Sequence, residues 1–321
     1  MQKIALEEHC MIPGFEEYWA PTVRLVERSR REMLLARLSD LGRGRLEAMD
    51  KAGIAHAILS LAGPGVQVET DIATAARKAR EANDWLAEQI AKQPKRFGGL
   101  AHLPMQDPRA AADELERCVH DLRFSGALIN GHTQGQYLDH PALDPFWERA
   151  QAINAPVYIH PADPVAPYPA VAGCNALKGP MWEWGVETGT HALRLVMNGV
   201  FDRFPRARVI LGHLGETLPF LLWRFDSRAQ HFSLKFKKSP SQYIRENIWV
   251  TTSGMFSADP LACTLCALGT ERVMFSADHP FESIEEAGEF MDSVPLDEEL
   301  RKSVCFRNAE KLLGLPSPVV L

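Results

Sequence analysis

No apolar run in the 321 residues approaches the roughly 20 that a membrane-spanning helix needs, so no membrane partner is expected. Basic charge is not in excess. The 35 Lys and Arg face 41 Asp and Glu, for a net charge of −6, which excludes the footprint of a nucleic-acid or anionic-surface binder. Cysteine is scarce: six residues in a chain of this length make no disulfide framework, and a reducing cytoplasm is the expected compartment. Cys263 and Cys266 form one C-x-x-C with no second pair. Its setting, ADPLACTLCALG, has helical spacing and is expected to be buried core rather than a metal site. No Gly-x-Gly-x-x-Gly follows an apolar run, which argues against a dinucleotide fold. The first residues lack a basic region leading into an apolar block, so no signal peptide is expected. Nor does any Ser/Gly-rich linker or low-complexity tract divide the chain, and one domain over 1–321 is expected. What is present is apolar residues at 46%, enough for a sizeable core.

Those apolar residues recur as short β-rich runs, each followed by a helix-like stretch. The runs are KIALEEH (3–9), AHAILSLAG (55–63), FGGLAHLP (97–104), GALINGH (126–132), PVYIHP (156–161), RVILGHLGE (208–216), IWVTTSG (248–254) and VMFSADHP (273–280). DIATAARKAREANDWLAEQIAKQP between the second and third is a long amphipathic helix, and AADELERCVHDL fills the next gap. Eight alternating strand and helix units predict a (β/α)8 barrel. Two connections exceed simple turns, residues 10–43 after strand one and 161–185 after strand five. Both leave the C-terminal ends of strands, where barrel active sites lie, so lid or pocket-wall roles are expected.

Polar residues gather where these strands end. Strand one ends in Glu7 and His9, strand five in His160, strand six in His213 with Glu216, and strand eight in Asp278. Side chains two apart on a strand share a face, so Glu7 and His9 point one way and Glu8 the other, toward the helix layer. A carboxylate and an imidazole facing inward together are costly unless something pairs them. One such residue alone would be a satisfied core histidine or a solvated strand end. Together on one rim they suit a divalent first-row ion such as Zn²⁺ or Mn²⁺, with Glu7 and His9 chelating it.

The segments ALEEH, WGVETGTHALRLVMNGVFDRFP, LGHLGETLPFLLWRFDSR and FSADHPFESIEEA carry a resemblance to the amidohydrolase superfamily. Within it the chain resembles the metal-dependent aromatic acid decarboxylase branch, above all the γ-resorcylate (2,6-dihydroxybenzoate) type, from residue 3 to about 314. The resemblance implies Glu7, His9, His160 and Asp278 as metal ligands. It also implies His213 and Glu216 as proton-relay groups, Arg224 as a substrate contact, and a homodimer or homotetramer. Where relatives usually carry Tyr after the last-strand Asp, this chain has His279. Two-metal hydrolases of the superfamily bridge their ions by a modified Lys on strand four; GALINGH has none, so one ion is expected and no organic cofactor. Asn130, inside that run, is a candidate substrate contact at the mouth.

Two ionised carboxylates would neutralise a divalent ion and weaken its power to acidify water. Such an ion suits a chelating substrate, and an ortho-hydroxybenzoate offers a phenolate and a carboxylate. Asp278 is the candidate proton donor to the ring carbon that then loses CO₂. A mononuclear metal hydrolase of a lactone or amide, with Asp278 as base, is the alternative within the fold. A non-catalytic binding barrel is the alternative from another class.

Overall fold

The eight runs fold as strands, all parallel: β1 (Lys3–Cys10), β2 (Ile54–Leu61), β3 (Phe97–Gly99), β4 (Ala127–Asn130), β5 (Val157–His160), β6 (Val209–Leu211), β7 (Ile248–Thr251) and β8 (Val273–Met274). The computed structural model describes residues 1–232 and 236–316. β1, β2 and β3 pair in that order, as do β4 through β8. The two sheets meet twice. Ala101 bridges to Ala127 after β3, and Glu8 bridges to His279 beyond β8, where the His9 amide donates to the His279 carbonyl at 2.8 Å. With both seams closed, the strands form a barrel whose wall buries Ile4, Leu6, Ile58, Ile129, Ile159, Ile210 and Val250.

β1 departs from simple alternation. Three steps from Ala5 to Glu8 face two steps on β2, from Ala57 to Leu59, so β1 carries a bulge at Leu6–Glu7. A bulge frees backbone amides that must be satisfied elsewhere. The Ser276 hydroxyl accepts from the Leu6 amide at 3.2 Å and the Glu7 amide at 2.6 Å. Ser276 then donates to Glu8 Oε1 at 3.1 Å, and the Ala277 amide donates to the same oxygen at 2.9 Å. Glu8 thus turns away from Glu7 and His9, as alternation implies, and pins β1 to the chain after β8.

The outer helices follow their apolar period. In Ile72–Lys92, Ala75, Ala79, Ala82 and Leu86 recur at helical spacing and are buried, and Asp71 caps the start by accepting from the Thr74 amide at 2.8 Å. The helix Ala258–Leu268 buries Leu261, Thr264, Leu265 and Leu268. That face leaves Cys266 exposed and Cys263 half-buried, so the expectation that the C-x-x-C is core is wrong. Among the described residues no helix is long and apolar enough to cross a membrane.

Both long connections carry structure of their own. The first contains the helices Glu16–Trp19 and Arg28–Ser39. Its Met11, Phe15, Trp19, Leu34 and Leu38 form a second core with Leu61, Val66 and Ala79, against which Phe281 packs. The segment after β5 is pinned by phenols: Tyr168 donates to Glu187 Oε2 at 2.5 Å, and Tyr137 donates to Glu187 Oε1.

Candidate metal centre

Four side chains meet at the C-terminal mouth of the barrel. Glu7, His9, His160 and Asp278 are all buried, and each offers one ligand atom within 4.8 Å of the others. His9 Nε2 lies 3.3 Å from Asp278 Oδ1, and His160 Nε2 lies 3.6 Å from Glu7 Oε1. The His9 and His160 rings stand edge to face, with centroids 4.6 Å apart.

Hydrogen bonds on the far ring nitrogens set which nitrogen faces the cluster with its lone pair. The Pro161 carbonyl lies 2.8 Å from His160 Nδ1 and can only accept, so Nδ1 carries the proton and Nε2 is a free donor atom. Burial pushes that imidazole down to about 3, so it stays neutral. His9 Nδ1 lies 3.1 Å from Ser60 Oγ, a hydroxyl that orients the ring and can either accept or donate. Toward the centre, Glu7 Oε1, His9 Nε2 and Asp278 Oδ1 are buried without a hydrogen-bond partner. Orphaned buried oxygens and nitrogens of this kind are expensive. A divalent ion would satisfy all three together, and two carboxylates with two imidazoles are a donor set that fits one.

The surroundings separate the two carboxylates. Burial pushes the Glu7 carboxyl up, and the neighbouring Asp278 charge adds to the rise. Burial also works against the Asp278 carboxylate, but the His213 and His9 rings close beside it outweigh that and hold this group well below the usual range. His213 lies beside the cluster. Its Nδ1 is 2.9 Å from Glu216 Oε1 and its Nε2 is 3.6 Å from Asp278 Oδ2. Burial disfavours its charge, yet Glu216, Glu7 and Asp278 together hold it well above an ordinary imidazole. A carboxylate, an imidazole and a second carboxylate thus stand in a row.

The backbone here is held in an unusual state. His213, Leu214, Glu216 and Asp278 have φ of 51°, 56°, 57° and 70°, left-handed values that side chains with a Cβ rarely take. Gly254 makes room for them: a Cβ there would stand 2.9 Å from His213 Cδ2.

The two remaining candidates make no side-chain hydrogen bond or ion pair with this group among the described residues, although Asn130 pairs in register with His160. Asn130 is buried on β4, its amide donating to Gln67 Oε1 at 2.7 Å and its own Oδ1 left without a partner. Arg224 lies exposed on the helix Leu218–Ala229 and makes no hydrogen bond or ion pair among the described residues. Asp226 is engaged with Ser241 instead, and Glu216 with His213. Sequence reasoning passed over Tyr158, whose hydroxyl donates to Glu7 Oε2 at 2.5 Å. Its position two residues before His160 was the available signal. It also passed over Arg45, buried behind β1, whose Nη2 donates to the His9 carbonyl at 2.5 Å. Nothing in the local sequence marks that residue.

A parallel eight-stranded barrel with a buried carboxylate–imidazole cluster at its C-terminal mouth defines a metal-centred barrel protein. The chain belongs to the amidohydrolase family, whose pattern matches residues 37–315. It is 42% identical over 324 residues to the γ-resorcylate decarboxylase of Polaromonas sp. strain JS666, with 98% of each chain covered. Among solved structures it resembles 2,6-dihydroxybenzoate decarboxylase in complex with 2,6-dihydroxybenzoate. There the TM-score is 0.91 and the identity 40%, over 98% of this chain and 100% of that one. It also resembles the dihydroxybenzoic acid decarboxylase of Polaromonas sp. JS666 with bound manganese and the inhibitor 2-nitroresorcinol. That match has a TM-score of 0.90 and 41% identity, over 98% of this chain and 97% of that one.

Proposed function

We propose that the protein is a metal-dependent, non-oxidative decarboxylase of a hydroxylated aromatic acid of the γ-resorcylate type. The observation that carries the reading is the buried set Glu7, His9, His160 and Asp278, with three ligand atoms lacking any other partner. Mn²⁺ or Zn²⁺ suits that set, and the Polaromonas structure holds manganese. No organic cofactor is needed. The ion supplies the positive charge against which a phenolate and a neighbouring carboxylate are held together.

The chain's own residues handle the proton. Asp278 rests ionised, so it first takes up a proton, from His213 or delivered with the substrate. Its Oδ2 then gives that proton to the ring carbon that bears the carboxylate, which breaks aromaticity at that carbon. The bond to the carboxylate then cleaves, its electron pair restores the ring, and CO₂ leaves. The proton stays on the product, and Asp278 is left ionised. His213, 3.6 Å away and oriented by Glu216 at 2.9 Å, is placed to return a proton to it. Arg224 keeps an uncommitted guanidinium for a carboxylate or ring oxygen, and Asn130 an uncommitted carbonyl oxygen. We also assign the protein to a homodimer or homotetramer.

The test is CO₂ release from 2,6-dihydroxybenzoate and other ortho-hydroxybenzoates, with metal content measured. A chelator should abolish release, and one equivalent of Mn²⁺ or Zn²⁺ should restore it. Full activity in a metal-free preparation would sink the mechanism. Turnover of a lactone or amide panel in place of the acids would move the protein to the hydrolases.

A further inference from the structure

The period of two that points His160 into the barrel from β5 also points Tyr158 there. Tyr158 is fully buried, and its hydroxyl donates to Glu7 Oε2 at 2.5 Å. The same hydroxyl lies 2.8 Å from Thr251 Oγ1, which lies 2.9 Å from Ser253 Oγ. Ser253 Oγ in turn accepts from the His213 amide at 3.1 Å. An ionised carboxylate only accepts, so the phenol must be the donor at Glu7. Its own lone pair is then filled by the Thr251 hydroxyl, and the Thr251 oxygen by the Ser253 hydroxyl. Every donor in the row points toward Glu7, the arrangement in which successive hydrogen bonds strengthen one another. Gly212 closes the remaining side: a Cβ there would stand 2.6 Å from Glu7 Oε2. Glu7 Oε2 is therefore held by the phenol and packed against Gly212, while Oε1 has no hydrogen-bond partner and faces His160.

We propose that Tyr158 is a positioning residue that restricts Glu7 to one oxygen toward the metal centre and so keeps a coordination position open for the chelating acid. The proposal rests on the ligand set put forward above. Its arithmetic is simple. An ion that prefers about six ligand atoms, as Mn²⁺ does, would have about two places left after one atom from each of the four residues, the number that a phenolate and a carboxylate together need. A second oxygen from Glu7 would take one of them. A short, charge-assisted bond from a buried phenol prevents that swing. A Tyr that merely filled the barrel would be replaceable by Phe without consequence at the mouth.

The experiment follows Mn²⁺ by electron paramagnetic resonance in metal-stripped and reloaded protein, with 2,6-dihydroxybenzoate as the probe. Wild type should bind one Mn²⁺, and the acid should alter its spectrum. Tyr158→Phe should bind the same equivalent of Mn²⁺, but at full loading its Kd for the acid should be weaker by roughly tenfold or more. Thr251→Val, which leaves the phenol in place but removes its donor and the acceptor of the Ser253 hydroxyl, should shift the Kd in the same direction by less. Equal Kd values for the acid in wild type and Tyr158→Phe overturn the proposal. Should the Phe variant fail to fold, an unchanged Kd in Thr251→Val overturns it in the same way. Wild type that takes up no Mn²⁺, or takes it up without response to the acid, overturns the reading of the site and the proposal with it. That outcome is distinct from a variant that matches wild type.

Discussion

Asp278 is asked to be both ligand and acid, and its surroundings allow the two roles to be tested apart. Oδ1 faces His9 and the orphaned cluster, whereas Oδ2 faces His213. Asp278→Asn keeps the size and one oxygen, and Asn tolerates the left-handed backbone at φ 70°. Metal and substrate should therefore still bind. What is lost is the acid, and transfer by a positioned group is worth about 10²–10⁴-fold. The drop in turnover should lie at the upper end, because a ring carbon is a poor base. Wild type run in D₂O should place deuterium on the ring at the vacated carbon. If the Asp278→Asn variant with metal bound releases CO₂ at near wild-type rate, Asp278 is a ligand only and the proton comes from elsewhere.

Among the elements, the turn after β2 shows how a loop near the mouth is fixed from behind. His102 is buried, and its Nε2 accepts from the Val66 amide at 2.9 Å. Asn83 holds the His102 backbone through both its amide and carbonyl, each at 2.9 Å. Burial pushes the His102 imidazole down to about 4, against an ordinary value of 6.5. The folded chain thus holds it neutral, while the unfolded chain protonates it below about 6.5. Its contribution is full above that pH and is lost as pH falls toward 4. Between pH 7 and 5 the loss from this one group is about 2 kcal/mol. His102→Gln, which keeps an acceptor but not the titration, should show a smaller fall in urea stability over that interval. Equal falls in variant and wild type would remove His102 as the cause.

The same scale shows what was legible in the sequence. All eight strands are where β-rich runs predict them, because burial on a barrel wall demands apolar stretches of that length. Their ends were not legible. The run read as 208–216 stops at Leu211, and that read as 273–280 stops at Met274. Beyond those points the chain takes left-handed turns at His213, Glu216 and Asp278, whose cost is borne by tertiary packing that no local pattern records. Glu7 and His9 could be placed on one face by alternation, even though the bulge at Leu6–Glu7 could not be foreseen. The C-x-x-C was misread for a different reason. Apolar residues surround both cysteines, but the buried stripe runs through Leu261, Leu265 and Leu268 and passes them by.

At the scale of the whole molecule, the surface carries more large apolar side chains than a solitary barrel needs. On the helix Leu218–Ala229, Phe220 and Trp223 are 81% and 76% exposed, three residues apart and so on one face. Met181 and Trp182 are 71% and 54% exposed at the end of the segment after β5. The two groups belong to neighbouring elements. Gly185 and Gly189, on the helix that follows Trp182, sit against Glu216 and Leu218, where the Phe220 helix begins. Exposed aromatic side chains on neighbouring elements are the usual anchors of a subunit interface. A second copy of the chain is the occupant we assign. Light scattering at micromolar protein should give the mass of a dimer or tetramer. Trp223→Glu places a charge in that face without touching the core, so the protein should stay folded and shift to a smaller mass. A wild-type monomer, or a Trp223→Glu protein of unchanged mass, would move the interface off this face.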